Sequence, residues 1–423
     1  LDTKNKHIVV FEHESIRWDK GDKKITQDQF HALEKYYGNG TPYFSLRYNG
    51  VQFNEHVGVI QVGDTLIEVL PKADNFDGVN DANKDNPWRS MLINMMRAVG
   101  NFDIKTTSES KLKVKPNSIL DLYFYMFINE VEFLLHLGLI KKYRKTEGNV
   151  AALKGNLQFG KHLQQNLVHQ ERFYVRFTTY DTQHLLHEIV YKALNLIKLI
   201  SNNTDILGRI NSLLLNFPEM KNIKVSELTF SKIILNRKSM HYKKALEIAK
   251  LILLQYHPDV TKGRNHVLAL MFDMNVLWEQ FVLASLKKSR HEFNFLTAQT
   301  SKYFWQANGG RKVNIRPDIS LETINGVKIV LDTKWKNLDS YKPSSEDLRQ
   351  MYVYHEYYSA IKVALVYPGN SIEISKGQFY GVDRKHIQEN DKECSLFPVM
   401  VNSNIKAWQE EISSCLMKWI NIQ

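Results

Sequence analysis

An apolar strand that ends in a carboxylate constrains this chain more than any other feature. Val327–Leu331 is apolar except for Lys328, and Asp332-Thr333-Lys334 follows it directly. Burying an uncompensated carboxylate is costly, so Asp332 requires a partner. Lys334 lies two residues on and projects from the same side of an extended chain. A D/E-x-K triplet means little alone; Asp22/Lys24, Asp103/Lys105 and Glu219/Lys221 are others in this sequence. Asp332 is set apart by the strand before it and by Arg316-Pro317-Asp318 further upstream, with the turn signal Asn325-Gly326 between.

The turn decides how the two acids meet. A two-residue turn at Asn325-Gly326 places Asp318 opposite Thr333 and mixes apolar and charged groups on both faces. A three-residue turn, Ile324-Asn325-Gly326 with Gly326 in the left-handed region, places Asp318 directly opposite Asp332. One face then carries Asp318, Ser320, Val330, Asp332 and Lys334; the other carries Ile319, Leu321, Ile329 and Leu331. Glu322 also falls across from Lys328. This second register separates polar from apolar better and is the one expected. Two adjacent carboxylates repel unless a cation or proton sits between them. Hard oxygen ligands with open positions suit Mg²⁺, with Mn²⁺ as an alternative. A neighbouring lysine would orient an attacking water or stabilise charge developing on a phosphate. The same residues would also make two ordinary ion pairs at a sheet edge, Asp332–Lys334 and Asp318–Arg316.

The surroundings read as an α/β unit. Val267–Leu286 is expected to be helical, with Leu270, Met274, Leu277, Phe281 and Leu283 as its apolar stripe. Strands are expected at Tyr303–Trp305, Val313–Thr323 and Val327–Trp335. A helix at Glu346–Ser359, N-capped by Ser345, and a strand at Ile361–Tyr367 follow. Gln350 and Tyr354 are four apart and share one helix face. Glu279 interrupts the first helix's stripe and is a candidate third carboxylate.

Upstream, His7–Phe11, Tyr43–Tyr48, Val57–Gln61 and Leu66–Leu70 read as short strands of a small barrel or sandwich. Residues 73–87 are a turn-rich loop. Helices are expected at Pro87–Val99, Ser118–Leu139 (with Ser118 at a capped start), His184–Ile200, Asp205–Leu215 and Tyr242–Gln255. The expected fold class is α+β and multidomain. A β-rich, barrel-like segment would span 1–85, a mainly helical one 86–265, and the α/β core 266–423.

Composition narrows the classes. The 423 residues are 43% hydrophobic and 24% charged, which excludes a disordered or collagen-like chain. Two cysteines, Cys394 and Cys415, exclude a disulfide scaffold and Cys-based zinc sites. No apolar run is long enough to span a bilayer, and Leu1–Val10 has no signal-peptide core, so a cytoplasmic protein without membrane contact is expected. The net charge of +11 draws a chain toward phosphate polymers. Between Lys221 and Lys250 eight basic residues face two acidic ones, a candidate grip on a DNA backbone.

Arg316-Pro317-Asp318, Asp332-Thr333-Lys334 and Gln350-x-x-x-Tyr354 together resemble the motifs of the PD-(D/E)XK nuclease superfamily, in its RecB-like branch. Further segments narrow the resemblance to the McrC family. They are Gly58-Val-Ile60 through Ile67-Glu-Val-Leu-Pro-Lys72, then Lys154-Gly155, and Phe272-Asp-Met-Asn275 with Trp278-Glu279. Trp278 stands where the family pattern expects Phe. The resemblance implies the nuclease subunit of a McrBC-type, modification-dependent restriction complex acting on double-stranded DNA. Asp318 and Asp332 would bind metal, with Glu279 as a further ligand; Lys334 would handle the attacking water, and Gln350 and Tyr354 would position it or the substrate. The partner implied is a McrB-like AAA+ NTPase hexamer, stimulated through the N-terminal domain. No Walker A loop occurs here, so a motor would be a separate chain. The rival readings are a non-catalytic activator of such an NTPase and a stand-alone RecB-like nuclease.

Overall fold

The computed structural model describes residues 6–38, 40–71, 87–99, 119–257, 266–336, 342–369, 373–380, 392–402 and 404–421. The loop 73–86, Lys72 and the capping position Ser118 lie outside them. The fold is mixed α+β, and its contacts divide the chain into two compact units. One joins residues 1–110 to 271–423; the other is 111–270.

In the first unit, the strand Lys6–Phe11 pairs in parallel with Thr65–Leu70, which pairs antiparallel with His56–Val62. Ser15–Arg17, Gly50–Phe53 and Phe44–Arg47 form a separate three-stranded sheet. No sheet among the described residues closes into a barrel, which corrects the barrel-like expectation. Strands of three and four residues are too short to wrap around, and the helix Gln27–Tyr37 interrupts them. That helix is polar in sequence, but Thr26 and Gln29 form a reciprocal capping box at its start.

The same unit holds a six-stranded sheet, in the order Phe293–Ala298, Ile319–Thr323, Lys328–Thr333, Lys362–Gly369, Glu393–Met400, Ser375–Gln378. Its three middle-to-late strands, from Lys328–Thr333 through Glu393–Met400, run parallel. The helix Ser345–Tyr358 covers one face, burying Met351, Tyr354 and Tyr358 against Val330, Val363 and Leu365. The helix Met274–Lys287 packs on the sheet and against Ile405–Asn421, with Trp278, Phe281 and Trp408 in ring contact.

Four boundaries differ from the sequence reading. Val267–Asp273 is a strand, and the helix begins only at Met274, because Asp273 caps it by accepting from the Asn275 and Val276 N–H groups. An apolar run such as Val267–Met271 fits either state until its partners are known. Val313–Thr323 is two strands, Lys312–Ile315 and Ile319–Thr323, broken at Pro317, which has no N–H for a ladder. Lys302–Gln306 and Lys312–Ile315 form their own two-stranded ribbon, so Phe293–Ala298 is the strand that joins the main sheet. The N-cap of Ser345–Tyr358 is Ser344, whose hydroxyl accepts from the Asp347 N–H.

The second unit packs the helices Ile119–Leu137, Leu185–Ile200, Thr204–Asn216 and Lys243–Leu254 around an apolar core. It also contains a long antiparallel pair, Lys142–Val150 with Phe173–Asp181, that a mainly helical reading omits. Both strands are half-exposed and Lys142–Val150 is polar, so its alternation carries little apolar contrast, whereas Phe173–Asp181 is rich in aromatic and β-branched residues. Gly155 lies beside this pair with φ +70°, and a Cβ there would stand 2.3 Å from the Arg176 carbonyl oxygen. Its neighbour Lys154 places its ammonium 3.9 Å from the centre of the Phe177 ring. Gly155→Ala combines a left-handed backbone with a clash against main chain and should cost about 2 kcal/mol or more. Urea denaturation of the variant reads this out; an unchanged midpoint would show that the loop relaxes freely.

Candidate active site

The hairpin from Ile319 to Thr333 has the register expected for a three-residue turn. Ile319 faces Leu331, Leu321 faces Ile329, and Glu322 faces Lys328. Gly326 sits at φ +78°, and the Thr323 and Val327 main chains close the loop through a 3.0 Å hydrogen bond. Extending that register by one residue sets Asp318 against Asp332.

The two carboxylates are held differently. Asp318 accepts from the Thr333 N–H at 2.7 Å and the Thr333 hydroxyl at 2.8 Å, both at Oδ2. Asp332 is 1% exposed, with Lys334 Nζ 2.8 Å from its Oδ2. That contact is a buried ion pair, and no other side-chain or main-chain donor is seen at Oδ2 among the described residues. Gln350 Nε2 lies 3.4 Å from Asp332 Oδ1 and donates to the Tyr354 hydroxyl at 2.7 Å. Tyr354 in turn donates to the Arg316 carbonyl at 3.1 Å. Gln350 and Tyr354 therefore do share a face, and it is turned to the hairpin.

Burial, then repulsion from Asp318, pushes the Asp332 carboxyl above its usual range. Burial alone would lower the Lys334 ammonium; Asp332 and Asp318 more than reverse this, so it is raised and stays charged. Glu279 is 8% exposed, and burial followed by the Asp318 charge pushes its carboxyl up to about 7. Gln299 Nε2 donates to both Glu279 oxygens, at 3.0 and 3.3 Å, and partly offsets this. Glu279 thus feels both aspartates. Among the described residues, however, no three His, Cys, Asp or Glu side chains converge as a ready-made metal cage.

The Phe272–Glu279 segment positions Lys334. Asp273 caps the helix, and Asn275 Oδ1 accepts from the Trp335 N–H at 3.1 Å. Trp278 is fully buried, and its indole N–H donates to the Val366 carbonyl at 3.2 Å. That same carbonyl accepts from the Lys334 N–H at 3.0 Å. A Phe at 278 would fill the space without supplying that donor. Trp335 Nε1 also donates to Glu12 at 2.9 Å, so the residue after Lys334 is tied to the N-terminal segment of the same unit. Sequence reasoning missed Thr333, Gln299 and Asn275 as supports. Thr333 carried a signal as the middle residue of the Asp-Thr-Lys triplet, and Asn275 as the end of the Phe272-Asp-Met-Asn275 segment; Gln299 carried none.

The fold and this patch define a mixed α+β chain with a strand-end acid pair beside a lysine. A family model described as "McrBC 5-methylcytosine restriction system component" matches residues 51–368, and the chain belongs to that family. No curated protein sequence is similar enough to match. The chain is similar in fold to a chain of a Thermococcus gammatolerans half-complex described as McrB AAA+ hexamers with bound McrC. The TM-score is 0.72 at 19% identity, covering 98% of this chain and 100% of that one. A chain of the Thermococcus gammatolerans McrBC complex matches with a TM-score of 0.50 at 19% identity, covering 67% and 88%.

The Glu279 carboxyl binds its proton more tightly folded, at about 7, than unfolded, near 4.5. Between those values the unfolded chain has released a proton that the folded one keeps, so stability falls as pH rises. Metal-free Glu279→Gln should therefore be the more stable protein above pH 7, by at most about 3 kcal/mol, and converge with the parent near the unfolded value. Thermal melts across pH in the presence of a chelator test this, and a pH-independent gap would exclude Glu279 as the titrating group.

Proposed function

We propose that this chain is the DNA endonuclease component of a modification-dependent restriction complex. On this reading the segment from Met274–Lys287 through Lys362–Gly369 is a PD-(D/E)XK nuclease core. The observation that carries it is the register placing Asp318 against Asp332 with Lys334 Nζ 2.8 Å from the second acid. Family membership supports it by supplying a context in which DNA is cut.

The donor set fits Mg²⁺ or Mn²⁺. Two hard carboxylates suit an ion that keeps most of its waters. Asp332 Oδ2 is buried beside the Lys334 ammonium, and burial followed by the Asp318 charge raises both the Asp332 and the Glu279 carboxyl, a balance that a bound cation would relieve. Asp318 and Asp332 would hold the ion, with Glu279 bordering it. Bound there, the ion would supply Lewis-acid stabilisation of the phosphate and a more acidic water. Lys334, charged and held by its main chain, orients the water and offsets charge on the non-bridging oxygens. Gln350, fixed through Tyr354 to the Arg316 carbonyl, keeps Asp332 aimed at the reacting phosphate.

The regions divide the work. Residues 1–85 would dock on an AAA+ NTPase hexamer and stimulate it, as McrC is bound to McrB hexamers in the similar structure. Residues 86–265 would line the DNA path, and residues 266–423 would cut double-stranded DNA in the cytoplasm. Among the described residues no helix is long and apolar enough to cross a membrane.

Lys334→Ala should lower DNA cleavage at least about a hundredfold while partner binding and stimulated NTP hydrolysis persist. Plasmid cleavage and NTPase assays on the reconstituted complex separate the two. If Asp332→Ala keeps restricting modified DNA, the chain is an activator and not the nuclease. Lys221, Lys224, Lys232 and Lys238 are exposed in the second unit. Changing all four to Gln should flatten the slope of log affinity against log salt by up to about 4. Filter binding across salt measures it, and an unaltered slope removes this stretch from the DNA path.

A further inference from the structure

A ribbon beside the acid pair has no role in the chemistry described so far. Lys302–Gln306 and Lys312–Ile315 pair antiparallel outside the main sheet, and nearly every residue in them is exposed. Three aromatic residues stand in a row on the first strand: Tyr303, Phe304 and Trp305 are 67%, 42% and 59% exposed. An isolated two-stranded ribbon is marginally stable at best, and rings left this exposed bury too little of their surface to be accounted for by its support alone. From Ser301 to Arg316 the segment carries four basic residues, Lys302, Arg311, Lys312 and Arg316, and no acidic one.

The ribbon is aimed. Its register slips between Tyr303 and Trp305, leaving Phe304 as the extra residue. Such a bulge re-aims a side chain, and Phe304 meets Tyr357 of the helix Ser345–Tyr358 edge-on, with ring centres 5.0 Å apart. Lys302 ties the ribbon to the same helix by donating to the Tyr357 carbonyl at 2.6 Å. Between ribbon and helix lies a cleft of about 640 Å³, lined by Phe304, Asn314, Arg316, Arg349, Gln350 and Tyr354. Gln350 and Tyr354 belong at once to this cleft and to the acid pair, so the cleft opens from the reacting centre. Glu346 also lines it and pairs with Arg349; Arg316 is seen in no ion pair among the described residues, although its charge acts on Glu279.

We propose that this cleft and ribbon hold the DNA strand leading away from the cut phosphate, with Arg316, Arg311 and Lys312 on phosphates and Phe304 and Trp305 against sugar and base. Basic groups that carry no acid among them match a polyanion, and exposed rings interleaved with them match its bases. A volume of this size admits a nucleotide and not a folded protein element. The proposal rests on the nuclease reading for its direction, because the cleft is followed outward from Asp318 and Asp332.

Full-length chain with a chelator present, so that nothing is cut, is titrated into a short fluorescein-labelled DNA and followed by anisotropy. The double variant Phe304→Ala/Trp305→Ala should weaken binding at least about fivefold. Phe304→Tyr/Trp305→Phe, which keeps the rings, should bind like the parent. Arg311→Ser/Lys312→Ser should weaken binding and reduce the salt slope by about 2. Circular dichroism checks that each variant is folded. If the ring-less and charge-less variants bind DNA as tightly as the parent while the parent cleaves, the ribbon proposal is overturned and the nuclease reading stands. If the ribbon variants lose DNA binding but the parent never cleaves with its partner and a divalent ion, the ribbon stands as a DNA contact and the nuclease reading falls. Unchanged DNA binding with loss of the NTPase partner would reassign the ribbon to protein docking.

Discussion

Two like charges forced together shape everything around them. Asp318 and Asp332 meet because the hairpin pairs them, and the pairing is set by apolar residues that must face inward, Ile319, Leu321, Ile329 and Leu331. The hydrophobic gain of burying that face outweighs the repulsion it creates at the open end. What remains is an electrostatic demand for positive charge, met here by Lys334 and felt as far as Glu279. Lys334 Nζ, 2.8 Å from Asp332 Oδ2, supplies that charge from within the same strand end.

The lysine is fixed through its main chain more than through its ammonium. Val366 accepts from both Lys334 and the Trp278 indole, and Asn275 takes the next N–H. The Phe272-Asp-Met-Asn275 stretch with Trp278-Glu279 thus acts as one bracket. Asp273 caps the helix, Asn275 and Trp278 pin the strand after Asp332, and Glu279 borders the acid pair. The Trp335–Glu12 hydrogen bond extends the bracket to the first strands of the same compact unit. Glu68, fully buried on the neighbouring strand Thr65–Leu70, is paired with Arg89 and lies 3.1 Å from the His7 ring in the same unit. Residues distant in sequence therefore support one another within a single compact unit.

Local signals in the sequence were reliable where a single interaction dominated. Asn325-Gly326 and the alternation around it specified the hairpin register to the residue. The four-residue spacing of Gln350 and Tyr354 placed both on the site's wall. Signals failed where two states share one pattern. The apolar run at Val267 suited helix and strand alike, and only its buried neighbours resolved it. The helix at Gln27 and the strand at Lys142 are mostly polar and do not stand out, while the aromatic and β-branched run at Phe173 is a legible strand signal that the mainly helical reading omits. The early strands looked like pieces of one barrel because spacing in sequence does not say which strand pairs with which.

By itself the sequence determined the acid pair, its lysine and the turn that joins them, because strand alternation and turn chemistry act over a few residues. It also determined the charge balance and the absence of a disulfide framework. Tertiary structure alone decided that the first 70 residues support the same unit as the last 150, that Asn275 and Trp278 hold Lys334, and that an aromatic, basic ribbon borders the acid pair. Those outcomes depend on contacts between residues tens to hundreds of positions apart. Such contacts are selected by the packing of whole faces, and no local pattern encodes them.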